Sequence, residues 1–204
     1  IQDRAGRFFF ATQGGLSLFD GREFTNFTTK DGLVNNRVFA VLEDDAGYFW
    51  IGTEQGLSRY DGSTFENFTT EDGLVNNRVY TLLLDRDGYL WLGTEAGLSR
   101  YNGSTFKNFT TADGLVHDDV NTLVQDQAGR IWIGTEGGLS YYDGQDFKNY
   151  TTADGLPSDQ IMGGIQDREG RLFFATLDGA CCFDGRNFTT YTTEDGLASD
   201  AVLR

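Results

Sequence analysis

Apolar positions in this chain come in short runs, each closed by a cluster of Gly, Asp, Asn or Thr. The stretch from Asp72 to Ala112 shows the pattern best. Its runs are 78–84 (RVYTLLL), 89–94 (YLWLGT), 98–101 (LSRY) and 105–110 (TFKNFT), and between them stand Asp85-Arg-Asp-Gly88, Glu95-Ala-Gly97 and Asn102-Gly103. No 3.6-residue apolar period lasts more than a few residues, and the 27 glycines break any would-be helix. β-branched and aromatic runs separated by Asn-Gly or Asp-Gly read as antiparallel hairpins; a two-residue turn of that kind needs positive φ at both central residues. The stretch therefore predicts a four-stranded meander, A to D. Strands A and B are apolar on both faces, so both faces need cover.

The same pattern returns without insertion or deletion. Asp-Gly-Leu recurs at 31, 72, 113, 154 and 195, a spacing of 41 residues (72−31, 113−72, 154−113, 195−154). A fixed period of this length, carrying four short strands per unit, predicts an all-β, five-bladed β-propeller. Residues 1–204 are read as one domain. Phe9, Trp50, Trp91, Trp132 and Phe173 form an aromatic column in strand B that should pack between blades. Leu33, Leu74, Leu115, Leu156 and Leu197 should plug the gaps.

One resemblance follows from these residues. Gly56-Leu-Ser-Arg-Tyr-Asp-Gly62, Phe65, Phe68-Thr-Thr-Glu-Asp-Gly-Leu74, Asn77-Arg-Val79 and Leu90-Trp-Leu-Gly-Thr94 resemble the two-component regulator propeller repeat, and the likeness extends over all five repeats. It implies a propeller from the extracytoplasmic sensor part of a hybrid histidine kinase, a family often tied to glycan sensing. Such sensors carry more repeats, then a membrane span and a kinase. A periplasmic or extracellular location is what the resemblance implies.

Composition narrows the partners. A net charge of −15 argues against nucleic acid and against an anionic membrane surface. No apolar run approaches the eighteen or so residues of a membrane span, so no membrane insertion is expected. The opening residues show no signal-peptide pattern, so if the source is exported its signal is expected to have been removed or to lie outside these residues. Cys181 and Cys182 are adjacent in strand C and point to opposite faces, which predicts two free thiols.

The ends carry a prediction of their own. Ile1 falls in the column of Leu42 and Leu83, the second half of strand A, and Arg204 in that of Ala40 and Thr81, the first half. Pairing 201–204 with 1–3 would complete blade 1 and close the ring, giving a compact monomer.

Chemistry is sparse. His117 is the sole histidine, and its column otherwise holds Asn35, Asn76, Ser158 and Ser199, so it reads as a polar loop residue. The Asp-x-x-Gly column (Asp3, Asp44, Asp85, Asp126, Asp167) reads as turns rather than a calcium loop. Asn-x-Thr sequons begin at Asn26, Asn67, Asn108, Asn149 and Asn187, and read as a by-product of strand D. Glycoside hydrolysis needs converging, unique carboxylates. The non-recurring acids near the channel, Glu43 and Asp119, are not paired as acid and base. No catalytic residue, metal or cofactor is expected.

Variation points to one face instead. Antiparallel connectivity puts the D–A loops and B–C turns together at the channel mouth. The variable columns there are Asn36, Asn77 and Asp118, then Arg37, Arg78, Asp119 and Gln160, and in the B–C turns Glu54, Glu95 and Glu136. A polar ligand such as a glycan or peptide would contact Arg37, Arg78, Asp119 and Glu95. The sequence leaves two other readings open: an engineered or excised scaffold with no ligand of its own, and, less favoured, a glycan-active enzyme.

Overall fold

The computed structural model describes residues 1–203. Each period folds as the alternation requires, into a meander whose strands pair in sequence order. Blade 1 has β1 (Phe8–Thr12), β2 (Gly15–Phe19) and β3 (Phe24–Phe27); blade 2 has β4 (Val38–Glu43), β5 (Phe49–Thr53), β6 (Gly56–Tyr60) and β7 (Phe65–Phe68). Blade 3 comprises β8 (Val79–Leu84), β9 (Leu90–Thr94), β10 (Gly97–Tyr101) and β11 (Phe106–Phe109). Blade 4 runs through β12 (Val120–Gln125), β13 (Ile131–Thr135), β14 (Gly138–Tyr142) and β15 (Phe147–Tyr150). Blade 5 closes the series with β16 (Ile161–Gln166), β17 (Leu172–Thr176), β18 (Gly179–Phe183) and β19 (Phe188–Tyr191). The structure is all-β and five-bladed. Among the described residues no helix is long and apolar enough to cross a membrane.

Cores form between blades, not within them. One cluster joins Phe9 and Leu16 to Phe49, Ile51 and Tyr60; the next joins Trp50 and Leu57 to Leu90, Leu92 and Tyr101. Trp91 meets Ile131, Ile133 and Tyr142, and Trp132 meets Leu172, Phe174 and Phe183. The plug leucines 33, 74, 115 and 156 each complete one cluster, as their column predicts.

The Asp-x-x-Gly turns have a second use. Asp85 Oδ1 accepts from the backbone of Asp87 and Tyr89, and its Oδ2 accepts from Trp91 Nε1 at 2.7 Å. Asp44 and Asp126 hold Trp50 and Trp132 in the same way. A buried indole N–H needs an acceptor; blades 1 and 5 have phenylalanine there, and Arg7 and Arg171 bond the aspartate instead.

Three expectations need correction. The C–D turns are not two-residue turns: Tyr60 pairs with Phe65, leaving a four-residue loop in which only Gly62 has positive φ (96°). Asp61 Oδ1 ties the loop by accepting from Ser63 N and Thr64 N, an Asx turn. Asn187 is off the sequon column, because Asn149 corresponds to Thr190, which pairs with Cys181. Ring closure by the termini is absent among the described residues, and Arg204 lies outside them. Gln2 bridges to Phe8, while Val202 N donates to Thr176 O of blade 5. The last loop is held on blade 5 by a bond also found at blade 3: Gly179 N to Asp200 O repeats Gly97 N to Asp118 O.

Cys181 and Cys182 are free and buried. Burial, then the neighbouring Cys182, pushes the Cys181 thiol up to about 12, which keeps it a thiol at physiological pH.

Candidate functional site

The connection from each blade to the next is a capped 3-10 turn that holds the mouth residues in place. Thr69 and Asp72 form a capping box, the Thr69 N–H donating to Asp72 Oδ2 at 2.8 Å, and Gly73 ends the turn at φ 102°. The chain then bends back: Thr70 N donates to Asn77 Oδ1 at 2.8 Å. Asn36 and Asp118 receive the same bond from Thr29 N and Thr111 N. The side-chain oxygens of Asn36, Asn77 and Asp118 are therefore committed to their own loops. His117 serves its loop too, Nδ1 accepting from Asp119 N at 3.1 Å.

The next column faces its neighbours. Backbone bonds from Glu54 N to Arg37 O, Glu95 N to Arg78 O and Glu136 N to Asp119 O join each B–C turn to the start of strand A. The side chains continue the link across blades. Arg37 Nη1 and Arg78 Nη2 both reach Glu54 Oε1, at 3.0 and 2.9 Å, and Arg78 Nη1 reaches Glu95 Oε1 at 2.7 Å. Further round, Gln160 Nε2 donates to Glu136 Oε2 at 2.8 Å. The mouth is thus a ladder, Arg37–Glu54–Arg78–Glu95, then Asp119, then Glu136–Gln160.

Asp119 interrupts this ladder. It occupies the arginine column, yet its neighbours Glu95 and Glu136 are acids. Its Oδ1 is buried and without a hydrogen-bond partner. Burial, then Glu136 and Glu95, raises its pKa above the ordinary carboxylate value. By contrast the bond from Arg78, with help from Arg37, holds Glu54 below its usual value. Among the described residues no group of three or more His, Cys, Asp or Glu is arranged to hold a metal. Glu43 accepts from Arg4 N at the opposite end of the inner strand, so it does not pair with Asp119.

Two further residues stand at the mouth. Asn121 Nδ2 donates to Glu136 Oε1 at 2.6 Å and to Ile161 O at 3.2 Å. Tyr80 lies by Arg78, its hydroxyl pKa raised by burial and by Asp119 and Glu95. Both belong to the column Phe39, Tyr80, Asn121, Met162, which differs in every blade and directly follows the column of Val38. That variability was the available signal. Below the mouth, Thr81, Asn121, Thr122 and Gly163 line a cavity of about 500 Å³, which continues to Ile165 and Phe173 on blade 5.

Five antiparallel meanders set side by side, one of three strands and four of four, with variable loops at one end of the inner strands, define a β-propeller fold. The model of the two component regulator propeller family matches the central repeats, at residues 32–55, 73–96 and 114–137. Among solved structures, the chain is similar over its whole length to the extracellular domain of the hybrid two component system BT3049 from B. thetaiotaomicron. That likeness has a TM-score of 0.88 at 22% identity and covers 30% of that chain. It is also similar to PorZ, a surface component of the type-IX secretion system of Porphyromonas gingivalis (TM-score 0.75, 17% identity, 97% of this chain and 34% of that one). A third likeness, to virginiamycin B lyase from Staphylococcus aureus, has a TM-score of 0.75 at 10% identity and covers 94% of this chain and 68% of that one. The chain spans about a third of the length of the first two. At these identities the likeness establishes the fold. No curated protein matches the chain.

Proposed function

We propose that this chain is a non-catalytic binding module of an extracytoplasmic sensor propeller, taking a polar ligand such as a glycan or a peptide at the channel mouth. The observation that carries the reading is the break in the charge ladder at Asp119. Among the described residues Asp119 Oδ1 is the buried side-chain polar atom left without a partner, and it lies beside Glu95 and Glu136. A ligand donor, an N–H or a hydroxyl, supplies what that oxygen lacks, and burying a polar group without a partner is costly. Arg37 and Arg78, on blades 2 and 3, are held by Glu54 and Glu95, so a ligand acceptor at the same mouth would compete with those ion pairs. A periplasmic or extracellular setting accords with the extracellular domain it resembles.

Catalysis is the weaker reading, although a lyase and a GH74 enzyme share the fold, because the carboxylates beside Asp119 are tied to other partners, Glu95 to Arg78 and Glu136 to Asn121 and Gln160, and His117 is bonded to its own loop. A scaffold with no ligand of its own is favoured by the unbroken 41-residue period. A glycan and peptide array followed by calorimetry separates these readings. The expected result is a ligand whose affinity falls at least tenfold in Asp119→Ala and Arg78→Ala, with melting temperature little changed. A ligand unaffected by both, yet lost on Arg130→Ala in an A–B turn, would move the site to the other face. Turnover of a glycoside would overturn the non-catalytic assignment.

A further inference from the structure

The exposed large apolar side chains gather at the two ends of the blade series. On blade 1 these are Phe8 (41% exposed), Phe10 (44%) and Phe24 (60%); on blade 5 they are Ile165 (65%) and Tyr191 (39%). Each belongs to a column that is covered at interfaces elsewhere. Phe8 and Phe10 stand where Leu90 and Leu92 meet Trp50, and where Ile131 and Ile133 meet Trp91. Ile165 stands where Leu83 packs against the blade 4 cluster. Tyr191 and Phe24 stand where the edge-on pairs Phe27–Phe65, Phe68–Phe106, Phe109–Phe147 and Tyr150–Phe188 form at every internal interface.

The polar groups match as well. Three internal interfaces share two bonds. The serine of strand C accepts from the loop of the preceding blade, as in Val34 N to Ser58 Oγ, Val75 N to Ser99 Oγ and Val116 N to Ser140 Oγ, all 3.0–3.1 Å. The asparagine of strand D donates to that blade's glycine carbonyl, as in Asn67 to Gly32, Asn108 to Gly73 and Asn149 to Gly114. Blade 1 has the same serine and asparagine, joined through Ser17 Oγ and Asn26 Oδ1 at 2.6 Å, and among the described residues no loop donates to Ser17. On blade 5 the corresponding loop groups are Ala198 N and Gly196 O. A third link recurs at the A–B turns: Arg86 N donates to Gln125 Oε1, and Arg4 N to Glu43 Oε2. On blade 5 the donor's position is Arg168, and on blade 1 the acceptor's is Gln2.

We propose that the forward face of blade 5 docks onto the back face of blade 1 of a second copy of this chain, in a head-to-tail interface that repeats the internal one. Phe173 and Ile165 would cover Phe8 and Phe10, Tyr191 would meet Phe24, and Asn26 Nδ2 would donate to Gly196 O. A second copy is favoured over closure of one chain on itself because it leaves the four internal interfaces unchanged. The angle between blades is set by those packed clusters, and in the structure it does not bring blade 1 onto blade 5. An interface of this kind joins two different patches, so it propagates until the rotation closes or a filament forms.

Sedimentation over a wide concentration range tests this. The wild-type chain should grow from one-chain to two-chain mass and beyond. Phe10→Glu blocks only the back face and Ile165→Glu only the forward face. Both positions are exposed, so both variants should keep the wild-type melting temperature measured on dilute protein. Each variant alone should stay at one-chain mass. Mixed in equal amounts they should form a two-chain species and nothing larger, since Phe10→Glu retains a working blade 5 and Ile165→Glu a working blade 1. Wild-type protein at one-chain mass throughout would overturn the proposal in favour of self-closure. So would a mixture that stays at one-chain mass, or symmetric dimers persisting in both single variants.

Discussion

Trp132 and Phe173 occupy the same place in consecutive blades, yet they live in different surroundings. Trp132 is fully buried, its ring 5.3 Å from that of Phe183 on the next blade and its N–H on Asp126. Phe173 is half-buried and faces the cavity at the open seam. The strands that carry them differ little in composition. What differs is whether another blade lies against them. A blade buries its apolar face only against a neighbour, so stability in such an array belongs to the interfaces.

The sharpest way to break the comparison is to empty the same column in both places. Trp91→Ala should cost about 3–5 kcal/mol in urea unfolding, as a large cavity in a closed core does, and it also strands Asp85 Oδ2. Phe173→Ala should cost well under half of that. Equal losses at the two positions would show that the seam is packed in solution.

A smaller effect, of opposite sense in volume, is expected from Gly93→Ala. A methyl there would lie 2.5 Å from Thr81 Cγ2 and 2.6 Å from Val120 Cγ1 of the following blade. Overpacking of this kind costs about 1–3 kcal/mol. Blade 5 shows how the column tolerates alanine: Ala175 pairs with Gly163, whereas Gly93 pairs with Thr81, so the small residue has changed strands. The double variant Thr81→Gly with Gly93→Ala should recover most of the loss, read as the urea midpoint. Failure to recover would mean that Val120, not Thr81, sets the limit.

The smallest effect separates the mouth from the interfaces. Asp119 has a raised pKa in the folded state, so between the unfolded value, about 3.9, and that raised value the folded chain binds more protons than the unfolded one. Stability contributed by this group is present below the unfolded pKa and is lost as pH rises through the window. Asp119→Asn should therefore melt higher than wild type at neutral pH, with the difference vanishing towards pH 3. A difference independent of pH would mean that the carboxylate is ionised without penalty and that Asp119 Oδ1 finds a partner in solution.

Much of this was legible in the sequence, for identifiable reasons. The period, the turn residues and the two-faced apolar strands fix four strands per blade, because alternation and glycine placement act within one repeat. The plug leucines and the aromatic column could be assigned to interfaces because five copies share them. At the mouth, the arginine and glutamate columns were legible as variable positions. Their mutual pairing was not, nor was the use of Asn36, Asn77 and Asp118 inside their own loops. Those bonds join residues 7, 17 and 24 positions apart, and only the folded loop brings them together.

By itself, then, the sequence determined what each blade is and which of its faces must be covered. A 41-residue unit carries its own strand pattern, its capped turn at Thr69-x-x-Asp72 and its Asp85–Trp91 bond, all local in the chain. Tertiary structure alone decided whether the ends meet. The columns of Ile1 and Arg204 made closure look natural, but the angle between blades is set by side chains packed across four interfaces. Position in a repeat says nothing of that angle, and it leaves Phe8, Phe10 and Ile165 facing outward.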